Sequence, residues 1–277
     1  MNSVLALKLF LVPSLIYAVT LAGRRWGPAV AGWLSAFPVV AGPILLTITL
    51  EQGAGFAAAA AEGTLMAVLA MVVFSLVYAW SSGRMGVAGA MPVALCAWAL
   101  MVAGLQSVRL PLPIAALAVI VALIVAPRLF PAQAAPDVAA SVAASAPLAR
   151  RGGDLPWRML AGAVLVMSVS AAAAGLGPRL SGFFAMFPVM GTVLVGFTHL
   201  QSGRDSAVQL LRGTILGYFA FAAFCVAIAL LLRAQPVAAS FFCAFVFALT
   251  IQLLVKAASS RRRATWSPGA PSMRPAA

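Results

Sequence analysis

Acidic residues are nearly missing from this chain: 277 residues hold five, Glu51, Glu62, Asp137, Asp154 and Asp205, beside a single histidine, His199. A catalytic triad or a protein metal cage needs several such groups together, and Asp137 and Asp154 fall in linker-like sequence. Neither a Walker loop nor a dinucleotide fingerprint is present. An enzyme is therefore not expected, nor is a bound metal or cofactor. Cysteine is scarce as well. Cys96, Cys225 and Cys243 lie in apolar runs without C-x-x-C spacing, so they read as small hydrophobic side chains rather than a disulfide framework. Charged residues make up 8% of the chain against about 25% in soluble domains, too few to coat a water-facing surface.

What is abundant is apolar, 64% of all residues. A membrane helix needs roughly 20 mostly apolar residues, and nine stretches qualify. They lie near 3–22, 28–50, 54–80, 86–106, 111–129, 157–175, 178–199, 206–232 and 236–256. Short clusters such as Gly23-Arg24-Arg25 and Ser81-Ser82-Gly83-Arg84 separate them. The Ala/Pro-rich linker 131–156 and the basic tail 257–277 read as disordered and cytoplasmic. The first stretch lacks a basic n-region and carries Lys8 inside its apolar run, so a cleaved signal is not expected.

The formal charge of +13 sits at the ends of the apolar stretches and in Arg261, Arg262 and Arg263. Positive-inside anchoring accounts for that pattern, and a nucleic-acid partner is not expected. With nine spans and the N-terminus outside, only Lys8, Arg109, Arg179 and Arg233 of the 18 basic residues face outward, and the C-terminus is cytoplasmic.

The sequence also repeats at an offset of 150. Gly27-Pro28-x-x-x-Gly32-x-x-x-x-Phe37-Pro38-Val39 returns as Gly177-Pro178-x-x-x-Gly182-x-x-x-x-Phe187-Pro188-Val189. Leu50, Gly53, Ala57, Gly63 and Thr64 return as Leu200, Gly203, Ala207, Gly213 and Thr214, which makes 11 identities in 40 aligned positions. A shifted match of Pro92-Val93-Ala94 with Pro236-Val237-Ala238 carries the repeat into the fourth and ninth spans. The expected fold is all-α and polytopic, in a 4+1+4 plan: a first repeat over 1–108, a connector helix over 109–130 and a second repeat over 157–256. Five spans separate equivalent helices, so the second repeat should enter the membrane inverted.

Each Phe-Pro pair falls about ten residues into its span, roughly 15 Å deep at ~1.5 Å per residue, close to the bilayer midplane. Proline offers no amide hydrogen and clashes with the carbonyl four residues earlier, that of Leu34 or Phe184, so each helix should kink or open. Two such breaks would converge where inverted-repeat transporters hold their substrate. The candidate site is therefore Phe37, Pro38, Phe187 and Pro188, with hydroxyls from Thr47, Thr49, Thr64, Thr192 and Thr214. Those hydroxyls have a plainer alternative, a bond to their own helix backbone. Glu62, about eight residues into the third span, needs pairing, hydration or protonation there. Arg212 is its counterpart, and inversion puts the two near opposite faces, so a direct bridge between them is not expected. Gly63 and Ala67 match Gly213 and Gly217, a small-x-x-x-small face for close helix packing.

The segments Ala31-Gly32-x-Leu34-x-x-Phe37-Pro38, Ser202-Gly203-Arg204 and Leu211-Arg212-Gly213-Thr214-Ile215 carry a resemblance. The repeat unit resembles the GlpM-like small bacterial inner-membrane proteins over about 40 residues, departing at Glu62, where the second half keeps Arg212. The resemblance implies a multi-pass protein of the bacterial cytoplasmic membrane, a duplicated relative, and no particular substrate. The inverted plan is similar to that of small secondary transporters, such as the drug and metabolite exporters. The expected function is small-molecule secondary transport or permeation of an unknown substrate, with a non-transporting accessory or assembly role in an envelope pathway as the alternative. The expected partners are the lipid bilayer and that substrate, and homodimerisation is compatible with the plan.

Overall fold

Among the described residues, three glycines divide the helices. The structure, a computed structural model, describes residues 3–39, 41–108, 110–132, 154–175 and 187–264. Its helices are α1 (Ser3–Trp26), α2 (Pro28–Ser35), α3 (Ala41–Gln52), α4 (Ala54–Ser81), α5 (Val87–Gln106), α6 (Leu112–Leu129), α7 (Leu155–Gly175), α8 (Val189–Leu231) and α9 (Val237–Ala264). No strand occurs among the described residues. Gly27 precedes α2, Gly53 joins α3 to α4, and Gly203 interrupts α8, with φ of 91°, 88° and 81°. A side chain is strained in that backbone region, so glycine lets the chain change direction there within one residue. α8 accordingly has a short arm, 189–202, and a long arm, 204–231.

Among the described residues five helices, α4, α5, α6, α8 and α9, are long and apolar enough to cross a bilayer, as an integral membrane protein requires. Their surfaces agree with that environment. α6 buries Ala115, Val119, Leu123 and Ala126 along one stripe and exposes Leu117, Ile120, Val121 and Ile124 on its other faces. Water would penalise that outer surface, and lipid does not.

α4 and the long arm of α8 form the centre, where Leu65, Phe74 and Tyr78 of α4 and Leu211, Ile215, Phe224 and Ile228 of α8 are almost fully buried. α5 and α6 pack against α4, α9 packs against α8, and α1 lies between α7 and α2. α2 packs on the long arm of α8 through backbone contact. A Cβ added at Gly32 would collide with the Leu210 carbonyl, one at Gly213 with the Ala29 carbonyl, and one at Gly217 with the Trp33 carbonyl. Lipid tails are as apolar as the helices they surround, so such close van der Waals approach between glycine faces replaces the hydrophobic drive as the main attraction. The predicted face Gly213-x-x-x-Gly217 is thus filled by α2. Its counterpart differs, since a Cβ at Gly63 would meet nothing within 4 Å.

The expected single helix over 28–50 is two helices. Pro38 cannot donate to the Leu34 carbonyl, and the Phe37 amide donates to it instead at 3.1 Å in a tighter turn, ending α2. The expected shift between the fourth and ninth spans is also absent. α5 begins at Val87 and α9 at Val237, and the buried stripe Ala90, Ala94, Trp98, Val102 recurs as Ser240, Ala244, Ala248, Gln252. All four stay at offset 150, so the proline match at another offset has no structural counterpart: Pro92 lies inside α5 and Pro236 precedes α9. Ala54–Ser81 is likewise answered by residues 204–231, whereas α3 begins at Ala41 and α8 at Val189. α9 runs to Ala264, eight residues into the expected tail. Residues 133–153 of the expected linker, 265–277 of the tail, and Gly177, Pro178 and Gly182 of the repeat lie outside the described residues.

Candidate functional site

The two Phe-Pro segments share one backbone design. Val39 N–H donates to Phe37 O at 2.7 Å and Val189 N–H to Phe187 O at 2.8 Å, a three-residue turn centred on each proline. Gly42 N–H then donates to Pro38 O at 2.9 Å and Thr192 N–H to Pro188 O at 2.8 Å, starting the next helix in the same way. Pro38 and Pro188 are buried, with non-helical backbone on at least one side of each. Phe37 packs on Phe245 of α9, ring centroids 6.4 Å apart, while Phe187 packs edge-on against Trp98 of α5 at 5.4 Å. Each break therefore leans on a helix distant in sequence, Phe37 on α9 and Phe187 on α5.

The remaining candidates are dispersed. Thr47, Thr49, Thr64, Thr192 and Thr214 each donate to the carbonyl four residues earlier, on Pro43, Leu45, Ala60, Pro188 and Leu210, at 2.7 to 3.0 Å. They satisfy their own helices. Glu62 accepts from Arg233 at 2.6 Å in a pair that is half-open to the surroundings. Arg212 lies elsewhere: it donates to the Pro131 carbonyl at 2.9 Å, and its guanidinium sits 5.4 Å from the Phe130 ring centre. Glu62 and Arg212 thus have separate partners, and among the described residues neither is hydrogen-bonded or ion-paired to a Phe-Pro break.

Two polar assemblies escaped the sequence reading. Asp154, assigned there to the linker, stands immediately before α7 and pairs with Arg24 and with Arg158, the latter at 2.6 Å. Gln201 completes the group, donating to Asp154 at 2.6 Å and accepting from Arg158 at 2.6 Å. Burial pushes the Asp154 carboxyl up, but hydrogen bonds from Arg158 and Gln201 and the charges of Arg158 and Arg24 outweigh it and hold the group below its ordinary value. An acid four residues ahead of an arginine at the start of an apolar run is a helix-entry signal, so part of this cluster was legible. The second assembly joins Tyr78 of α4 to His199 of α8, hydroxyl to Nδ1 at 2.8 Å. The hydroxyl donates when the imidazole carries its proton on Nε2. Residues 121 apart in sequence make this bond, and no local pattern announces it.

One open groove of 410 Å³ lies between α5, α7 and the short arm of α8, walled by Val87, Met91, Ala161, Leu165, Thr192 and Leu200. Its polar groups are few, and Thr192 is the sole site candidate on its wall. Among the described residues no three of His, Cys, Asp and Glu come together as metal ligands. No protein-family model, curated protein or solved structure matches this chain.

Proposed function

We propose that the chain is a small-molecule secondary transporter of the bacterial cytoplasmic membrane, crossing it nine times as two inverted four-helix repeats around a connector, α6. The observation that carries the reading is the paired helix break, the same proline-centred turn at Phe37-Pro38 and at Phe187-Pro188. Irregular backbone at membrane depth is costly unless protein or a polar path covers it, and discontinuous helices in matched halves are how many carriers hold a substrate near the midplane. Support for the orientation comes from the distribution of arginines and from contacts that pair residues expected on one face: Arg24 with Asp154, Arg204 with the Ala79 carbonyl, and Glu62 with Arg233. With one histidine and five acids, coupling to an ion would use few groups, and the substrate itself is left open.

The test needs no substrate. Single cysteines at Val39 and Val189, half-buried equivalents beside the two prolines, are introduced into a variant lacking Cys96, Cys225 and Cys243. Labelling by an impermeant thiol reagent is compared on intact cells and opened membranes. Alternating access expects each site to label from both faces. Labelling of neither, or of each from one face only, removes the transporter reading. Cysteines at the exposed positions Gln52 and Ser202 report topology separately, the first expected outside and the second inside.

One observation favours the alternative, an accessory or assembly component without transport. The candidate threonines donate to their own helix backbones. Such a component would hold a fixed protein partner through mild-detergent purification.

A further inference from the structure

The groove between α5, α7 and α8 has a direction. Leu200 and Thr192 mark its two ends on α8, eight residues or roughly 12 Å apart at ~1.5 Å per residue. Half of a ~30 Å hydrocarbon core is ~15 Å, so the groove covers the depth of one leaflet. All three walls reach an arginine at the same end. Arg84 stands three residues before Val87, Arg158 three before Ala161, and Arg204 four after Leu200.

These cations are unequally committed. Arg158 is engaged by Asp154 and stacks over the ring of Phe197, a wall residue, at 5.3 Å. Arg204 donates to the Ala79 carbonyl at 3.3 Å and lies 3.7 Å from Asp205, while its buried Nε has no partner. Its guanidinium also borders Gly83, where an added Cβ would lie 3.3 Å from Nη2, next to the exposed Arg84. Asp154 pairs with Arg24 and Arg158 and Asp205 lies by Arg204, while the exposed Arg25 and Arg84 belong to the same end, so two acids stand against five arginines and leave net positive charge.

We propose that the groove holds one acyl chain of an anionic phospholipid from the arginine-bearing leaflet, with its phosphate between Arg84 and Arg204. A crossing helix of a partner protein would need a trough through both leaflets. A free anion would leave the apolar walls empty, and a zwitterionic lipid would leave the net charge of the rim unanswered. The site rests on the membrane-spanning reading and is independent of transport, so the labelling at Val39 and Val189 can fail without touching it.

The full chain is placed in nanodiscs of equal phosphatidylglycerol and phosphatidylcholine and released for native mass spectrometry. One retained phosphatidylglycerol is expected, with Arg84→Gln and Arg204→Gln each lowering its preference over phosphatidylcholine about fivefold. Gly196→Phe fills the groove, where the neighbouring atom is the flexible Met91 methyl 3.5 Å from the new Cβ, and should abolish retention of either lipid. Ala161→Leu fills it from the opposite wall should the first variant misfold. Leu117→Phe on the exposed face of α6 is the control and should change nothing. The proposal is overturned if groove filling leaves retention intact or if the wild type holds both lipids equally. It is also overturned if inorganic phosphate alone, in detergent, is retained with the same dependence on Arg84 and Arg204.

Discussion

The segment from α3 through α5 and the pair α8 and α9 share, 150 residues apart, the glycine at the first joint, the helix starts at 54 and 204 and at 87 and 237, and the buried stripe of α5 and α9, yet their polar side chains do not correspond. Thr49 stands where His199 does, Glu51 where Gln201 does, Glu62 where Arg212 does, and Tyr78 where Ile228 does. Helix packing without a hydrophobic drive constrains small residues and the apolar stripe between helices, and both segments obey it. It places no demand on which polar groups pair, so each segment has its own. The paired breaks are common property; the charged cluster and the Tyr78–His199 bond belong to one arrangement only.

The glycine faces give the sharpest contrast between the segments. At Gly213 any Cβ meets the Ala29 carbonyl, and rigid backbone on both sides cannot give way. Gly213→Val should cost about 3 kcal/mol or more, read as loss of folded protein in detergent titration with SDS. Gly63→Ala has open space and a helical site, so it should be neutral or gain up to about 1 kcal/mol. Equal losses at the two positions would end the comparison, because α4 and α8 would then be packed alike.

The charged sites differ next. Asp154 and Arg158 expose only 12% and 7% of their side chains, whereas Glu62 and Arg233 expose 30% and 56%. Asp154→Asn strands two arginines at a buried site and should cost about 3 kcal/mol, while Glu62→Gln should cost under about 1 kcal/mol. The same carboxyl adds a pH dependence. Its folded value lies below the ordinary 3.8, so its contribution is complete above that value. The stability is lost as pH falls through the depressed value, because the unfolded chain takes up the proton first. Thermal unfolding followed from pH 6 down to pH 3 should show this acid slope in the wild type and a flatter one in Asp154→Asn.

Apolar runs made α4, α5 and α6 readable to within a few residues, because membrane helices are announced by composition alone. Proline made the break at Pro38 readable as a kink, though the full separation of α2 from α3 depended on the Phe37 amide capturing the Leu34 carbonyl. The threonine bonds were readable too, since each partner lies four residues away. Contacts across the fold were not. Arg24 finds Asp154 at a separation of 130 residues and Arg233 finds Glu62 at 171, distances at which no periodicity carries information. Glu62 and Arg212 correspond at offset 150, but their partners, Arg233 and the Pro131 carbonyl, do not.

Tyr78 and His199 give the smallest and most specific test of that asymmetry. Tyr78 is fully buried, its ring stacked near Phe74 at 6.3 Å and edge-on to His199 at 6.0 Å. Tyr78→Phe keeps the ring contacts and removes one hydroxyl, leaving His199 Nδ1 without its partner. A single neutral hydrogen bond contributes about 1 kcal/mol, so the loss should be of that order. Ile228 occupies the equivalent place on α8 among apolar neighbours, and Ile228→Val should cost a similar ~1 kcal/mol by the cavity it leaves. The two losses separate in the double background. With His199→Gln already present, Tyr78→Phe should lose most of its remaining effect, whereas Ile228→Val should keep its full cost. Additivity of Tyr78→Phe with His199→Gln would mean that the bond carries no stability of its own and that the two segments are equivalent at this level as well.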